Sequence, residues 1–90
     1  MIMKMIVTIL RDEDSECVSE TLAENGLFVT RIASSGGFLR QGRSTLMVGV
    51  EESKVDQAIQ LINDSCTPSV EPMLRKATVF VLNVEHFEQI

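Results

Sequence analysis

Residues 27–50, LFVTRIASSGGFLRQGRSTLMVGV, decide the fold of this 90-residue chain. The runs LFVTRIA (27–33) and STLMVGV (44–50) are rich in β-branched side chains, which favours two strands. The segment between them, residues 34–43, carries glycines of the kind found where the chain turns between strands. We therefore predict two consecutive strands at the centre of the chain.

A helix is predicted before this pair of strands. The segment DSECVSETLAENG (14–26) places apolar residues four positions apart, as on one face of a helix. Asp14 or Ser15 can cap its start, because a short polar side chain can accept hydrogen bonds from the first backbone N–H groups. Gly26 supplies a C-terminal stop.

A second helix is predicted after the pair. In ESKVDQAIQLINDSC (52–66), apolar side chains recur at Val55, Ile59 and Ile62, which is the spacing of a helix with one buried face. Ser53, followed three residues later by an aspartate, resembles a capping box. This segment carries the clearest helical pattern of the chain.

The ends of the chain complete the pattern with two further strands. MKMIVTILR (3–11) has the β-branched content of a strand buried on at least one face. KATVFVLNV (76–84) is hydrophobic enough for a strand that is covered on both faces or lies at an interface. TPSVEPMLR (67–75) holds both prolines and is predicted to be a loop, since proline interrupts helices and central strands. A short tail follows the last strand.

The resulting order, βαββαβ, is that of an α+β, ferredoxin-like fold. Such a fold has a four-stranded antiparallel sheet with two helices on one face, and residues 1–90 are expected to form it as a single domain. Because the strands are so apolar, the other sheet face is expected to meet another subunit rather than water. The sequence therefore predicts a homo-oligomer.

Composition limits the classes of function. A net charge of −5 argues against binding to nucleic acid polymers or to anionic membranes. No apolar run approaches the roughly 20 residues of a membrane span, and the N-terminus has no signal-peptide cleavage pattern, so a soluble cytoplasmic protein is expected.

The side chains that commonly carry chemistry do not form a recognisable catalytic or metal-binding set. Cys17 and Cys66 are expected to be buried free thiols, and His86 an exposed residue of the tail. The acidic run 12–14 precedes the first helix, where it interacts favourably with the positive helix end. Methionines on the strands are expected to fill core space. We therefore predict no enzymatic activity, no metal and no cofactor.

The segment SSGGFLRQGR (34–43) has the composition of an anion-binding loop. Gly36 and Gly37 allow close approach of the backbone to a ligand, while its serine hydroxyls and arginines can bind phosphate. Phe38 offers a ring on which a base can stack. The segment lacks the Gly-Lys-Ser/Thr of a Walker loop, and a mobile hairpin without a ligand is the alternative interpretation.

Three stretches of the chain resemble the PII-like cyclic-di-AMP receptor family: KMIVTILRDED (4–14), TRIASSGGFLRQGRSTLMVGV (30–50) and ATVFVLNVEHFEQI (77–90). The resemblance implies a homotrimeric signalling protein that binds the dinucleotide between neighbouring subunits and acts on a protein target. The positions that it implies for ligand binding are Thr30, Gly36, Gly37, Phe38, Leu39, Gly49, Phe80 and Gln89.

The chain departs from the pattern of that family in three places. Arg43 stands where the family has an asparagine that contacts adenine, and Phe28 where it often has an arginine. An arginine donates hydrogen bonds and stacks on bases but accepts none, so we include Arg43 among the candidate ligand residues with an altered role. The segment 67–75 is shorter than the glycine-rich loop of the family.

Two functions follow from these observations. The first is a non-enzymatic receptor that binds a cyclic dinucleotide, most simply cyclic-di-AMP, in clefts between subunits. The alternative is a paralogue that has lost the dinucleotide and acts as a protein-interaction module or binds another adenine nucleotide.

Overall fold

The computed structural model describes residues 2–32, 42–66, 77–86, 88 and 90. Its elements, in chain order, are β1 (Met3–Arg11), α1 (Asp12–Glu24), β2 (Phe28–Ile32), β3 (Arg43–Glu51), α2 (Val55–Ser65) and β4 (Ala77–Val84). The strands form one sheet in the order β2-β3-β1-β4, and each neighbouring pair is antiparallel. The predicted α+β, ferredoxin-like fold is confirmed.

Strict alternation along the strands gives the sheet two different faces. The even-numbered residues of β1 and β3, apart from Lys4 near the start of β1, are buried, among them Ile6, Leu10, Leu46 and Val48. They form one core cluster with Val18 and Leu22 of α1 and with Ala58 and Ile62 of α2. Both helices therefore cover the same face of the sheet, as predicted.

The opposite sheet face, called the open face below, carries the odd-numbered residues of β1 and β3 and their cross-strand partners. Its central members are Met5, Val7 and Ile9 of β1, Thr45, Met47 and Gly49 of β3, Phe28, Thr30 and Ile32 of β2, and Thr78, Phe80 and Leu82 of β4. Phe28, Phe80 and Leu82 are each about half exposed. Met3, Met5 and Met47 lie here, half-buried, so their predicted place in the core between sheet and helices is wrong.

The start of α1 differs from the prediction. The helix begins at Asp12, and neither Asp14 nor Ser15 caps it. Instead, the Ser15 hydroxyl donates to the Asp12 carbonyl oxygen at 2.9 Å, and the Asp14 carboxylate lies 3.1 Å from an Arg11 guanidinium nitrogen. The acidic run thus occupies the first helical turn, where its negative charge interacts favourably with the positive end of the helix dipole, as expected.

The end of α1 agrees with the prediction. Gly26 has φ +79°, a left-handed conformation that glycine adopts without strain. The N–H of Gly26 donates to the Ala23 carbonyl at 3.0 Å, and the N–H of Leu27 donates to the Leu22 carbonyl at 3.1 Å. These two hydrogen bonds form a Schellman motif, which satisfies carbonyls that the helix leaves unpaired.

Substitution Gly26→Ala is expected to lower the free energy of unfolding by about 1–2 kcal/mol, the usual strain of an L-residue in the left-handed region. A Cβ at this position meets no heavy atom within 4 Å, so backbone strain is the dominant effect. Urea denaturation at matched protein concentration measures the loss. Gly26→Asn is the control and should lose less, because asparagine tolerates this conformation; equal losses would contradict the explanation.

The second helix, in contrast, starts later than its sequence suggests. A 3-10 turn over Glu52–Lys54 precedes α2, and no side chain caps the helix, so the predicted capping box at Ser53 is wrong. Its packing face is as predicted, with Ala58 and Ile62 buried and Ile59 packed beside them. No helix among the described residues is long and apolar enough to cross a membrane.

The two cysteines have different environments. Cys66, which follows the last residue of α2, is buried as predicted. Cys17 is exposed on α1, so its predicted burial is wrong. Val18, the next residue, is the one that points into the core, because a helix turns by about 100° per residue. The predicted loop at 67–75 lies outside the described residues.

Candidate ligand-binding site

A shallow cavity of about 250 Å³ lies on the open face around Gly49. Its lining includes Met5, Phe28, Thr30, Met47, Gly49 and Glu88. The register places Gly49 directly between Phe28 on β2 and Met5 on β1. Because Gly49 has no side chain, a gap remains between its two neighbours, and a glycine inside a strand often marks such a place of close approach.

Two of the predicted ligand residues meet at this cavity. Thr30 and Gly49 both line it, although they come from different strands and are 19 positions apart in the sequence (49 − 30). Thr30 is exposed and contributes a hydroxyl, which both donates and accepts hydrogen bonds. Among the candidate residues that the structure describes, these two are brought together most directly.

Phe80 lies on the same face but farther along the sheet. It pairs with Val7 of β1, which in turn pairs with Met47, the cross-strand partner of Thr30. Adjacent strands are about 4.8 Å apart, so three steps place Phe80 roughly 14 Å from Thr30. The half-exposed Phe80 ring thus belongs to the same surface as the cavity but not to its immediate wall.

Arg43 is at the far end of β3. Six residues separate it from Gly49 (49 − 43), a distance of roughly 20 Å along a strand. Its register partner is Arg11, whose guanidinium already pairs with Asp14 and lies 3.6 Å from a Glu13 carboxylate oxygen. Within one chain, Arg43 and the cavity therefore occupy opposite ends of the sheet.

The end of β3 that carries Arg43 is held firmly to α1. The Asp12 N–H donates to the Gly42 carbonyl at 2.9 Å, and the Ser44 hydroxyl donates to the Asp12 carboxylate. Gly42 itself has φ +83°, which requires a residue without a Cβ to avoid strain. These contacts fix where the predicted anion-binding segment joins β3. Gly36, Gly37, Phe38, Leu39 and Gln89 lie outside the described residues.

A second cavity, of about 380 Å³, lies between α2 and β4. Ile59, Ile62, Cys66 and Val79 contribute to its largely apolar lining. It contains none of the predicted ligand residues and lies beside the core rather than on the open face. Its greater volume alone does not make it the better candidate, since ligand sites also need convergent polar groups.

Comparison with known families bears directly on the cavity. The sequence model described as "Cyclic-di-AMP receptor" matches residues 3–74, which include Thr30, Arg43 and Gly49. The chain belongs to the cyclic-di-AMP receptor family. Membership in a receptor family supports a binding role rather than a catalytic one.

A solved structure extends the comparison to the whole chain. It is the crystal structure of a functionally unknown protein from Pediococcus pentosaceus ATCC 25745, to which this cyclic-di-AMP receptor family member is 30% identical. The superposition has a TM-score of 0.79 and covers 100% of this chain and 99% of the other. The two proteins therefore share their fold along their full length.

The sequence alone did not indicate every residue that lines the cavity on the open face. Phe28 was noted only as a departure from the family, yet its position two residues before Thr30 on a strand puts both side chains on one face. Met5 and Met47 follow from the same alternation once the register is known. Glu88 lies in the tail, beyond the last strand, where no periodic pattern indicates its position.

Proposed function

We propose that this protein is a non-enzymatic, homotrimeric signalling protein that binds cyclic-di-AMP in clefts between its subunits and acts on a protein target. The observation that carries the proposal is the cavity on the open face, where Thr30 and Gly49 meet in a chain of the cyclic-di-AMP receptor family. Both are residues at which the family resemblance implies ligand contact.

The size and position of the cavity support a site shared between subunits. Pockets that enclose a whole drug-sized ligand have volumes of about 300–1,000 Å³. The cavity of about 250 Å³ is smaller and shallow, so a cyclic dinucleotide needs further walls. A second protomer bound to the open face supplies these walls. Its binding also covers the half-exposed Phe80 and Leu82.

Isothermal titration of the protein with cyclic-di-AMP tests the ligand, and light scattering coupled to size exclusion tests the assembly. We expect a trimer that takes up one cyclic-di-AMP per protomer with a saturable heat. A trimer that gives no heat with any cyclic dinucleotide or adenine nucleotide would overturn the receptor proposal and favour the alternative, a protein-interaction module. A monomer at micromolar concentration would overturn the shared cleft.

A further inference from the structure

The cavity on the open face contains a polar group that the motif analysis did not single out. Glu88 lines it from the C-terminal tail, together with the apolar side chains of Met5 and Phe28. Of the six lining residues named above, Glu88 alone carries a formal charge. A carboxylate in the lining selects for a ligand group that donates hydrogen bonds, because an ionised carboxylate only accepts them.

The cavity of about 250 Å³ is too small to enclose a whole dinucleotide, so one base is the part of the ligand considered for it. Phe28 is 51% exposed, which leaves much of its ring at the surface of the hollow. Stacking on an aromatic side chain is a general way to bind a base, since every base has a π face. The missing side chain at Gly49 gives a flat base room beside this ring.

The polar groups around the hollow match the edge of adenine. The exocyclic amine of adenine donates hydrogen bonds, and its ring nitrogens accept them. Glu88 can accept from the amine, and the Thr30 hydroxyl can donate to a ring nitrogen. One oxygen of Glu88, Oε2, lies 3.3 Å from Nε2 of His86, whereas Oε1 has no hydrogen-bond partner among the described residues.

Arg43 cannot be the group that accepts a hydrogen bond from the exocyclic amine. A guanidinium has no acceptor, and Arg43 is at the opposite end of β3 from the cavity. From these observations we infer that Glu88 and Phe28 determine base specificity: Phe28 stacks on an adenine base of the dinucleotide, and the Glu88 carboxylate accepts a hydrogen bond from its exocyclic amine. The inference rests on the proposed function.

The main test titrates four proteins with two ligands. A fifth protein, Phe28→Leu, and a third ligand, cyclic-di-GMP, provide two further checks. The ligands are cyclic-di-AMP and its purine riboside analogue, in which a hydrogen replaces the exocyclic amine and the ring nitrogens remain acceptors. The proteins are the unsubstituted chain, Glu88→Ala, Glu88→Gln and the control Glu85→Ala, which removes an equally charged, exposed residue of the same tail. The measured quantity is the ratio of the two dissociation constants for each protein.

The unsubstituted protein and Glu85→Ala should prefer cyclic-di-AMP by about 10-fold, the usual value of one charge-assisted hydrogen bond. Glu88→Ala should lose this preference, and Glu88→Gln should keep part of it because an amide carbonyl still accepts. Phe28→Leu should weaken the binding of both ligands by the same factor, about 10-fold, since stacking does not depend on the exocyclic group.

The outcomes separate this inference from the proposed function. Failure of the unsubstituted protein to bind any cyclic dinucleotide would overturn both. Binding with an unchanged preference in Glu88→Ala would overturn the role of Glu88 alone. Tighter binding of cyclic-di-GMP than of cyclic-di-AMP would overturn the adenine assignment, because guanine also presents amino and imino donors to a carboxylate.

Discussion

Leu82→Glu is expected to convert the proposed trimer into monomers that remain folded. Leu82 is 50% exposed in the single chain, so a glutamate there stays in contact with water and disturbs the protomer little. In an assembly that covers the open face, the same carboxylate is buried without a partner. An unpaired buried charge costs on the order of several kcal/mol, and each trimer would hold three such charges. Light scattering gives the mass, and circular dichroism confirms the fold.

Asn83→Glu is the matched control for this substitution. Asn83 is the next residue on β4, is also exposed, and faces the other side of the sheet, where the Lys4 ammonium donates to its side-chain oxygen. A glutamate there retains an acceptor for Lys4 and should leave the trimer intact. A trimeric Leu82→Glu protein would show that the open face is not the interface, and dissociation by both substitutions would show that the interface is not confined to it.

The order and approximate extent of the elements were predictable because they depend on local patterns. Strand β3 was predicted over 44–50 and is observed at Arg43–Glu51, and α2 was predicted over 52–66 and is observed at Val55–Ser65. The periodicity of apolar residues predicts where the helices lie, and the β-branched content predicts where the strands lie. The end of α1 was predictable for the same reason, because Gly26 ends the helix through hydrogen bonds between residues that are close in sequence.

Helix starts were predicted less well because distant contacts decide them. The Asp12 carboxylate accepts a hydrogen bond from the hydroxyl of Ser44, 32 residues away, and its N–H donates to Gly42. Neither partner is visible from the sequence near the helix. Local capping preference is weaker than these contacts, so α1 begins two residues before Asp14.

The candidate site was predictable only in part for a similar reason. Family resemblance pointed to Thr30 and Gly49, and the antiparallel pairing of β2 with β3 brings them to one cavity. Gly49 and Arg43 lie near opposite ends of one extended strand, so the fold keeps them apart within a chain. The position of Glu88 at the cavity depends on the path of the tail after β4, and the sequence of the tail has no repeating pattern that predicts it.

Gly49→Val is expected to weaken the binding of cyclic-di-AMP by about 100-fold, or about 2.7 kcal/mol, without destabilising the chain. The new side chain enters the gap between Phe28 and Met5 and fills the space proposed for the base. Stability should remain equal or rise, because glycine inside a strand is less favourable than other residues by about 0.5–1 kcal/mol and valine favours strands. Calorimetric titration and urea denaturation measure the two effects separately.

Gly49→Ala provides a graded control, since its single methyl group occupies less of the gap and should reduce the affinity by a smaller factor. The mass of each variant must be measured as well, because Gly49 lies on the open face. A variant that remains trimeric, keeps its stability and loses affinity in the order glycine, alanine, valine supports a ligand site at this cavity. Full affinity in a trimeric Gly49→Val protein would place the dinucleotide elsewhere, since a base and a valine side chain cannot occupy the same space.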